Sequence, residues 1–168
     1  MRWKKSHRCD RIARPIADRH YNRQSIGAPN FVPPGRCVVL LADDNSALWV
    51  TSWPFAEFVR HDWAGAWVNS CFRNEGGYLS SELIREAVAA TRYIWPDVPE
   101  LGMITFIDQE HVRPIKRRGR DFWGYTYLKA GFQKATPETT RGGLLAFQLL
   151  PKDMPEPIPP LNGQLRLL

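Results

Sequence analysis

The chain has 168 residues, of which 43% are hydrophobic and 12% aromatic, with a formal net charge of +6. That balance excludes a disordered chain and is enough for one domain with a real core, while the basic excess makes an acidic partner worth seeking. No apolar run approaches the roughly 20 residues of a membrane helix, and the basic start MRWKKSHRCDR lacks the apolar stretch of a signal peptide, so a cytoplasmic protein is expected.

Cys9, Cys37 and Cys71 are odd in number and widely spaced, which argues against a disulfide framework and a cysteine-rich zinc site. They read as free thiols, with Cys37 and Cys71 inside strands. Residues 1–23 carry eight Lys or Arg against Asp10 and Asp18. The spacing predicts a helix around Pro15–Tyr21, and Arg19 and Arg23 are candidate phosphate contacts on a basic arm; a solvated helix with a frayed tail explains the same residues. His20-Tyr21 then opens a long polar loop, Asn22–Gly35.

Cys37–Ala42 and Ala47–Trp53 read as a hairpin around Asp43–Ser46. Pro54–Gly65, with Phe55, Phe58 and Trp63, reads as a cover for a sheet face. His61-Asp62 reads as packing, because adjacent residues rarely point at one target. Ala66–Phe72 is a strand, Arg73–Gly77 a turn, and the segment from Ser80 a long amphipathic helix ended by Trp95-Pro96. Ser80 and Ser81 are candidate N-caps. The start of this helix is a place for an anion, with Arg73, Asn74, Ser80 and Ser81 as candidate donor-binding residues.

Met103–Ile107 is the next strand, and Asp108 stands at its end, where open α/β sheets often place chemistry. Lys116, Arg117, Arg118 and Arg120 follow, close to Trp123 and Tyr125. Basic and aromatic residues mixed in this way suit a nucleic-acid backbone beside an unstacked base; a solvated loop next to core aromatics fits equally. Tyr125–Phe132 is a short helix capped by Gly131, Leu144–Leu150 is a closing strand, and PKDMPEPIPP begins a proline-rich tail. The division expected is a catalytic domain over 1–150 and a tail over 151–168.

The order helix, hairpin, strand–turn–helix, strand, helix, strand resembles the GNAT acyltransferase fold. It implies an α/β (α+β) chain with a mixed, mostly antiparallel central sheet flanked by helices. Tyr127–Phe132 (YLKAGF) resembles the late Gly-Phe helix of that fold. The usual Arg-x-x-Gly-x-Gly/Ala pyrophosphate loop is replaced by Arg73–Ser81 (RNEGGYLSS), which counts against ordinary coenzyme A binding.

A narrower set, Arg19–Tyr21 (RHY), Phe72–Glu75 (FRNE), SSELI, TFID and YLKAGF, is similar to the Mom family of phage DNA-modification proteins over residues 10–150. That resemblance implies addition of a carbamoylmethyl-type group to the exocyclic amine of adenine in DNA, protecting phage DNA from restriction. It also implies bound Fe2+, with His20, Tyr21 and Asp108 as candidate ligands. The donor is acetyl-coenzyme A or another acyl or aminoacyl compound.

The candidate catalytic residues are Tyr21, Ser81, Asp108 and Tyr127. Trp123, Tyr125 and Tyr127 are candidates to stack on a base turned out of the duplex. The expected partners are double-stranded DNA and, as an option, a second copy of the chain in a homodimer, with no membrane. Two other readings stay open: a GNAT N-acyltransferase acting on a protein or small-molecule amine, and a non-catalytic DNA-binding protein.

Overall fold

The computed structural model describes residues 1–135 and 144–161. Its centre is a seven-stranded sheet, formed by β1 (Trp3–Lys5), β2 (Arg36–Ala42), β3 (Ala47–Trp53), β4 (Trp67–Asn74), β5 (Met103–Asp108), β8 (Gln133–Lys134) and β9 (Leu144–Leu149). The spatial order is β1-β2-β3-β4-β5-β9-β8. Every neighbouring pair runs antiparallel except β4 and β5, which are parallel. A separate hairpin, β6 (Ile115–Arg117) and β7 (Arg120–Phe122), stands apart from this sheet. The helices are α1 (Arg14–Asp18), α2 (Ser80–Ile94) and α3 (Tyr125–Lys129). The mixed, mostly antiparallel α+β class is therefore present.

The central strands are apolar throughout because both sheet faces are covered. Val38, Leu40, Ala42 and Trp49 pack with the α2 residues Leu83, Ile84, Ala87 and Val88. On the other face Val39, Leu41, Leu48 and Val50 pack with Ala13, Ile16 and Ala17 around α1. The expected cover from 54–65 is present only in part: Trp63 is buried with Ile104 and Ala146, whereas Phe55 and Phe58 are exposed. The tail from Pro151 to Leu161 lies against α2. Ile158 N–H donates to Ala89 O at 3.1 Å, and Arg92 reaches Pro155 O at 2.5 Å.

Several local expectations need correction. The first helix spans only Arg14–Asp18, and the helix from Tyr125 stops at Lys129. The N-cap of α2 is Leu79, with no side-chain cap; Ser80 instead accepts a hydrogen bond from Asn74 Nδ2 at 2.9 Å. The N-terminal residues are not a free arm. Trp3 is fully buried, its indole N–H donating to Leu83 O at 2.8 Å, and Arg2 pairs with Glu82 and Glu86. No helix among the described residues is long and apolar enough to cross a membrane.

Candidate functional site

The site begins with a mismatch in strand pairing. Parallel β4 and β5 are in register only over Trp67–Asn69 and Met103–Thr105. Beyond that point β4 stays with β3 and β5 stays with β9, so the two strands part. A bulge sharpens the split. The β3–β4 register shifts between Val50 and Thr51, whose partners are Cys71 and Asn69, leaving Ser70 unopposed. The result is a wedge of about 290 Å³, walled by Cys71 and Phe72 on one side and Phe106 and Ile107 on the other. That is at the lower end of the roughly 300–1,000 Å³ range of small-molecule sites, a size for a nucleobase or short acyl group.

The floor is a buried polar network. Tyr127, on α3, donates its hydroxyl to Asn69 Oδ1 at 2.6 Å. The Asn69 amide donates to Val50 O and Cys71 O, both at 3.0 Å, so it also stitches the bulge. Thr105 completes the group at 3.3 Å from Asn69 Oδ1. Burial pushes the Tyr127 phenol well up, so at neutral pH it is a hydrogen-bond donor and not a base. Burial likewise pushes the Cys71 thiol up to about 12.

His20 and Tyr21 line the wedge, and Tyr21 also lines an adjoining cavity with Asp108 and His111. His20 stacks on Tyr21 with centroids 4.5 Å apart, and Tyr21 stacks on His111 at 5.6 Å with the rings 9° from parallel. His111 Nδ1 lies 2.7 Å from Asp108 Oδ2, while Asp108 Oδ1 accepts from Glu110 N–H at 2.9 Å. That backbone N–H and His111 hold the Asp108 carboxyl below its ordinary value. Burial, with Arg73 nearby, lowers the pKa of His20 against the opposing hydrogen bond to Asn22. Burial also raises the Tyr21 phenol, although its oxygen sits against the Asp108 backbone N–H.

Tyr21 and Asp108 are thus brought together as the sequence suggested, and His111 is the member the sequence reading left out. Its signal was the Asp-x-x-His spacing at a strand end. Of the three implied iron ligands, His20 stacks on Tyr21, Tyr21 lies against the Asp108 backbone, and the Asp108 carboxylate meets His111 and the Glu110 N–H. Among the described residues no three His, Cys, Asp or Glu side chains are placed to share a metal ion.

The candidate donor-binding residues are largely occupied with one another. Asn74 Nδ2 donates to Tyr78 O and Ser80 Oγ, and its Oδ1 accepts from Gly76 N–H. Arg73 donates to Glu75 Oε2 at 2.6 Å, and Arg19 grips the same carboxylate through two nitrogens. Gly76 lies so close to the β2–β3 turn that a Cβ would fall 2.1 Å from Ser46 Oγ, and Tyr78 donates to Asp43 at 3.0 Å. The turn before α2 thus carries Asp43, Asp44 and Glu75 beside the cations Arg2, Arg19 and Arg73. Ser81 is half-buried on the first turn of α2.

Of the candidate DNA contacts, Arg23 is paired with Asp18 at 2.8 Å and Arg19 with Glu75. Trp123 is not a free stacking surface. It packs against the core, and its indole N–H donates to Val112 O at 3.0 Å. Lys116, Arg117, Arg118 and Arg120 are exposed on the β6–β7 hairpin. They share a broad groove with Phe122 and Tyr125, and the last two also line the wedge. Arg117 sits over the Tyr125 ring, 5.1 Å from its centroid.

In comparisons with known proteins the chain matches no family model, no curated protein and no solved structure.

Proposed function

We propose that this chain is a DNA-modifying transferase of GNAT-like topology that places a carbamoylmethyl- or acyl-type group on the N6 amine of adenine. The observation that carries the reading is the wedge between the parting strands β4 and β5, opening at the foot of a basic hairpin. A phosphate-binding element beside a base-sized cleft is what chemistry on a flipped nucleotide needs. The family resemblance supports the adenine and the protective role in phage DNA, with the protein acting in the host cytoplasm.

The cationic hairpin holds the backbone, and the extruded base enters past Phe122 and Tyr125. The second reactant has the other rim, beside Tyr21, His111 and Asp108. The adenine amine is a weak nucleophile because its lone pair is delocalised into the ring, so placement against the electrophilic carbon supplies much of the rate. The amine nitrogen forms the new N–C bond as the bond from that carbon to the donor's leaving group breaks, and the leaving group, departing with the electron pair, takes up the proton that the nitrogen loses. The ionised Asp108 at the rim accepts a hydrogen bond from the amine and orients it. Tyr127 and Asn69 fix the floor beneath both reactants.

The test is nucleoside mass spectrometry of plasmid DNA from cells expressing the protein, with Asp108→Ala alongside. A heavier deoxyadenosine that disappears in the variant supports the reading. Unmodified DNA from cells rich in folded protein overturns it, and acetyl-coenzyme A binding without DNA binding then identifies an acyltransferase for another amine.

A further inference from the structure

We infer that the β6–β7 hairpin is a preformed two-stranded ribbon that enters the major groove of double-stranded DNA, with Arg117 and Arg120 on phosphates and Arg118 against base edges. This rests on the DNA reading above and says how the duplex is held.

The hairpin is closed by a tight two-residue turn. Arg118 and Gly119 have φ of 50° and 73°, and Arg117 pairs directly with Arg120 across it. Positive φ at both central turn residues matches the natural twist of a hairpin, so the ribbon is ordered before it meets a partner. One cross-strand pair, Lys116 and Asp121, is of opposite charge, but the pair beside the turn is not. All six strand residues are exposed, and isolated two-stranded hairpins are marginal in water. Like charges directly opposite each other weaken a ladder, yet Arg117 faces Arg120. Among the described residues, no salt bridge involves Lys116, Arg117, Arg118 or Arg120. Such a cluster is offset by a polyanion.

Geometry selects the duplex. Cross-strand partners share a face, so Arg117 and Arg120 lie on the same face as Ile115 and Phe122. Ile115 and Phe122 line the wedge. The arginine pair therefore extends the wall of the cleft outward, and whatever it grips lies over the mouth. A major groove about 12 Å wide admits a two-stranded ribbon, and the adenine N6 amine projects into that groove. Ribbon and cleft thus approach the duplex from the side on which the target amine is displayed. Arg118 sits in the turn at the tip of the ribbon, the part that would lead into the groove.

The experiment measures binding to a labelled 20-base-pair duplex by anisotropy across a salt series, with dimethyl sulfate footprinting and selection from a randomised duplex pool. Wild-type protein is expected to bind and to protect guanine N7, a major-groove atom. Arg117→Ala/Arg120→Ala is expected to lose about tenfold in affinity at low salt and to lower the log–log salt slope by about 2, one unit per phosphate. Arg117→Glu/Arg120→Glu, exposed and checked for folding by circular dichroism, is expected to lose more. Arg118→Ala is expected to broaden the selected sequences with little change in slope. The inference is overturned by wild-type protein that binds no DNA, by protection confined to the minor-groove atom adenine N3, by arginine variants with wild-type affinity, or by an unchanged sequence preference in Arg118→Ala. Hairpin-dependent binding without modified deoxyadenosine would retain the ribbon and remove the transferase. Modification that survives the hairpin variants would do the reverse.

Discussion

Tyr127 and Asn69 are 58 residues apart in sequence and 2.6 Å apart in the fold, joined by a hydrogen bond that ties α3 to the base of the parting strands. Both side chains are buried, at the floor of the wedge. Tyr127→Phe removes the hydroxyl and leaves Asn69 Oδ1 with only the longer Thr105 contact at 3.3 Å. A loss of about 1–2 kcal/mol in stability is expected, read by urea unfolding. DNA modification should fall more than stability accounts for, because Asn69 also holds the bulge that shapes the wedge. Unchanged stability and unchanged modification would show that the network is not needed.

Glu75 gives a pH signature. The Arg19 guanidinium, with Arg73 beside it, holds the Glu75 carboxyl down to about 2, against an ordinary 4.5. A depressed carboxyl contributes stability that is fully present above its unfolded value and is lost as pH falls through the folded one. The difference in stability between wild type and Glu75→Gln should therefore be constant above about pH 4.5 and shrink toward pH 2. Arg19 is half exposed, so solvent screens the pair and the difference at neutral pH is expected to be small. The same variant frees Arg19 and Arg73. Stronger DNA binding in Glu75→Gln would identify them as cations that Glu75 screens, and weaker binding would show that Glu75 orders them for contact.

Cys71 lines the wedge but its thiol is held up near 12, so it carries almost no thiolate at pH 8. Cys9 is exposed. Iodoacetamide followed by peptide mass spectrometry should label Cys9 long before Cys71, with Cys71 reacting only in denaturant. Equal rates would show that the wedge is more open and polar than the fold makes it. Modification activity should survive alkylation of Cys9.

The parts legible in the sequence were those whose burial leaves a long periodic or apolar trace. β2, β3, the 66–72 strand, α2 and β5 are all of this kind. β1 escaped notice because three residues, Trp-Lys-Lys, show no pattern, although Trp3 is among the most deeply buried side chains. β6 and β7 were hidden for the opposite reason: their exposed, charged residues resemble a loop, and Arg118 is an uncommon residue at positive φ. Ser80 looked like a cap only because its partner Asn74 lies across a turn that sequence does not fold. Arg19 and Arg73 looked like anion-binding residues for the same reason, since Glu75 meets both only once β4 is laid down. Tyr21 and Asp108 could be proposed as residue types. Their meeting through His111 is tertiary and was out of reach, as was the choice of α2 as the surface on which residues 151–161 dock.

The wedge is made of backbone before it is made of side chains. Its opening angle follows from three paired residues on each of two strands and one extra residue at Ser70. Exchanging Phe72, Phe106 or Tyr125 would change what the cavity accepts and leave the cavity in place, whereas deleting the extra residue would make the β3–β4 ladder regular and remove the kink that helps β4 leave β5. Substrate choice and the existence of a site are thus written in separable parts of the chain, and drift in the first does not endanger the second.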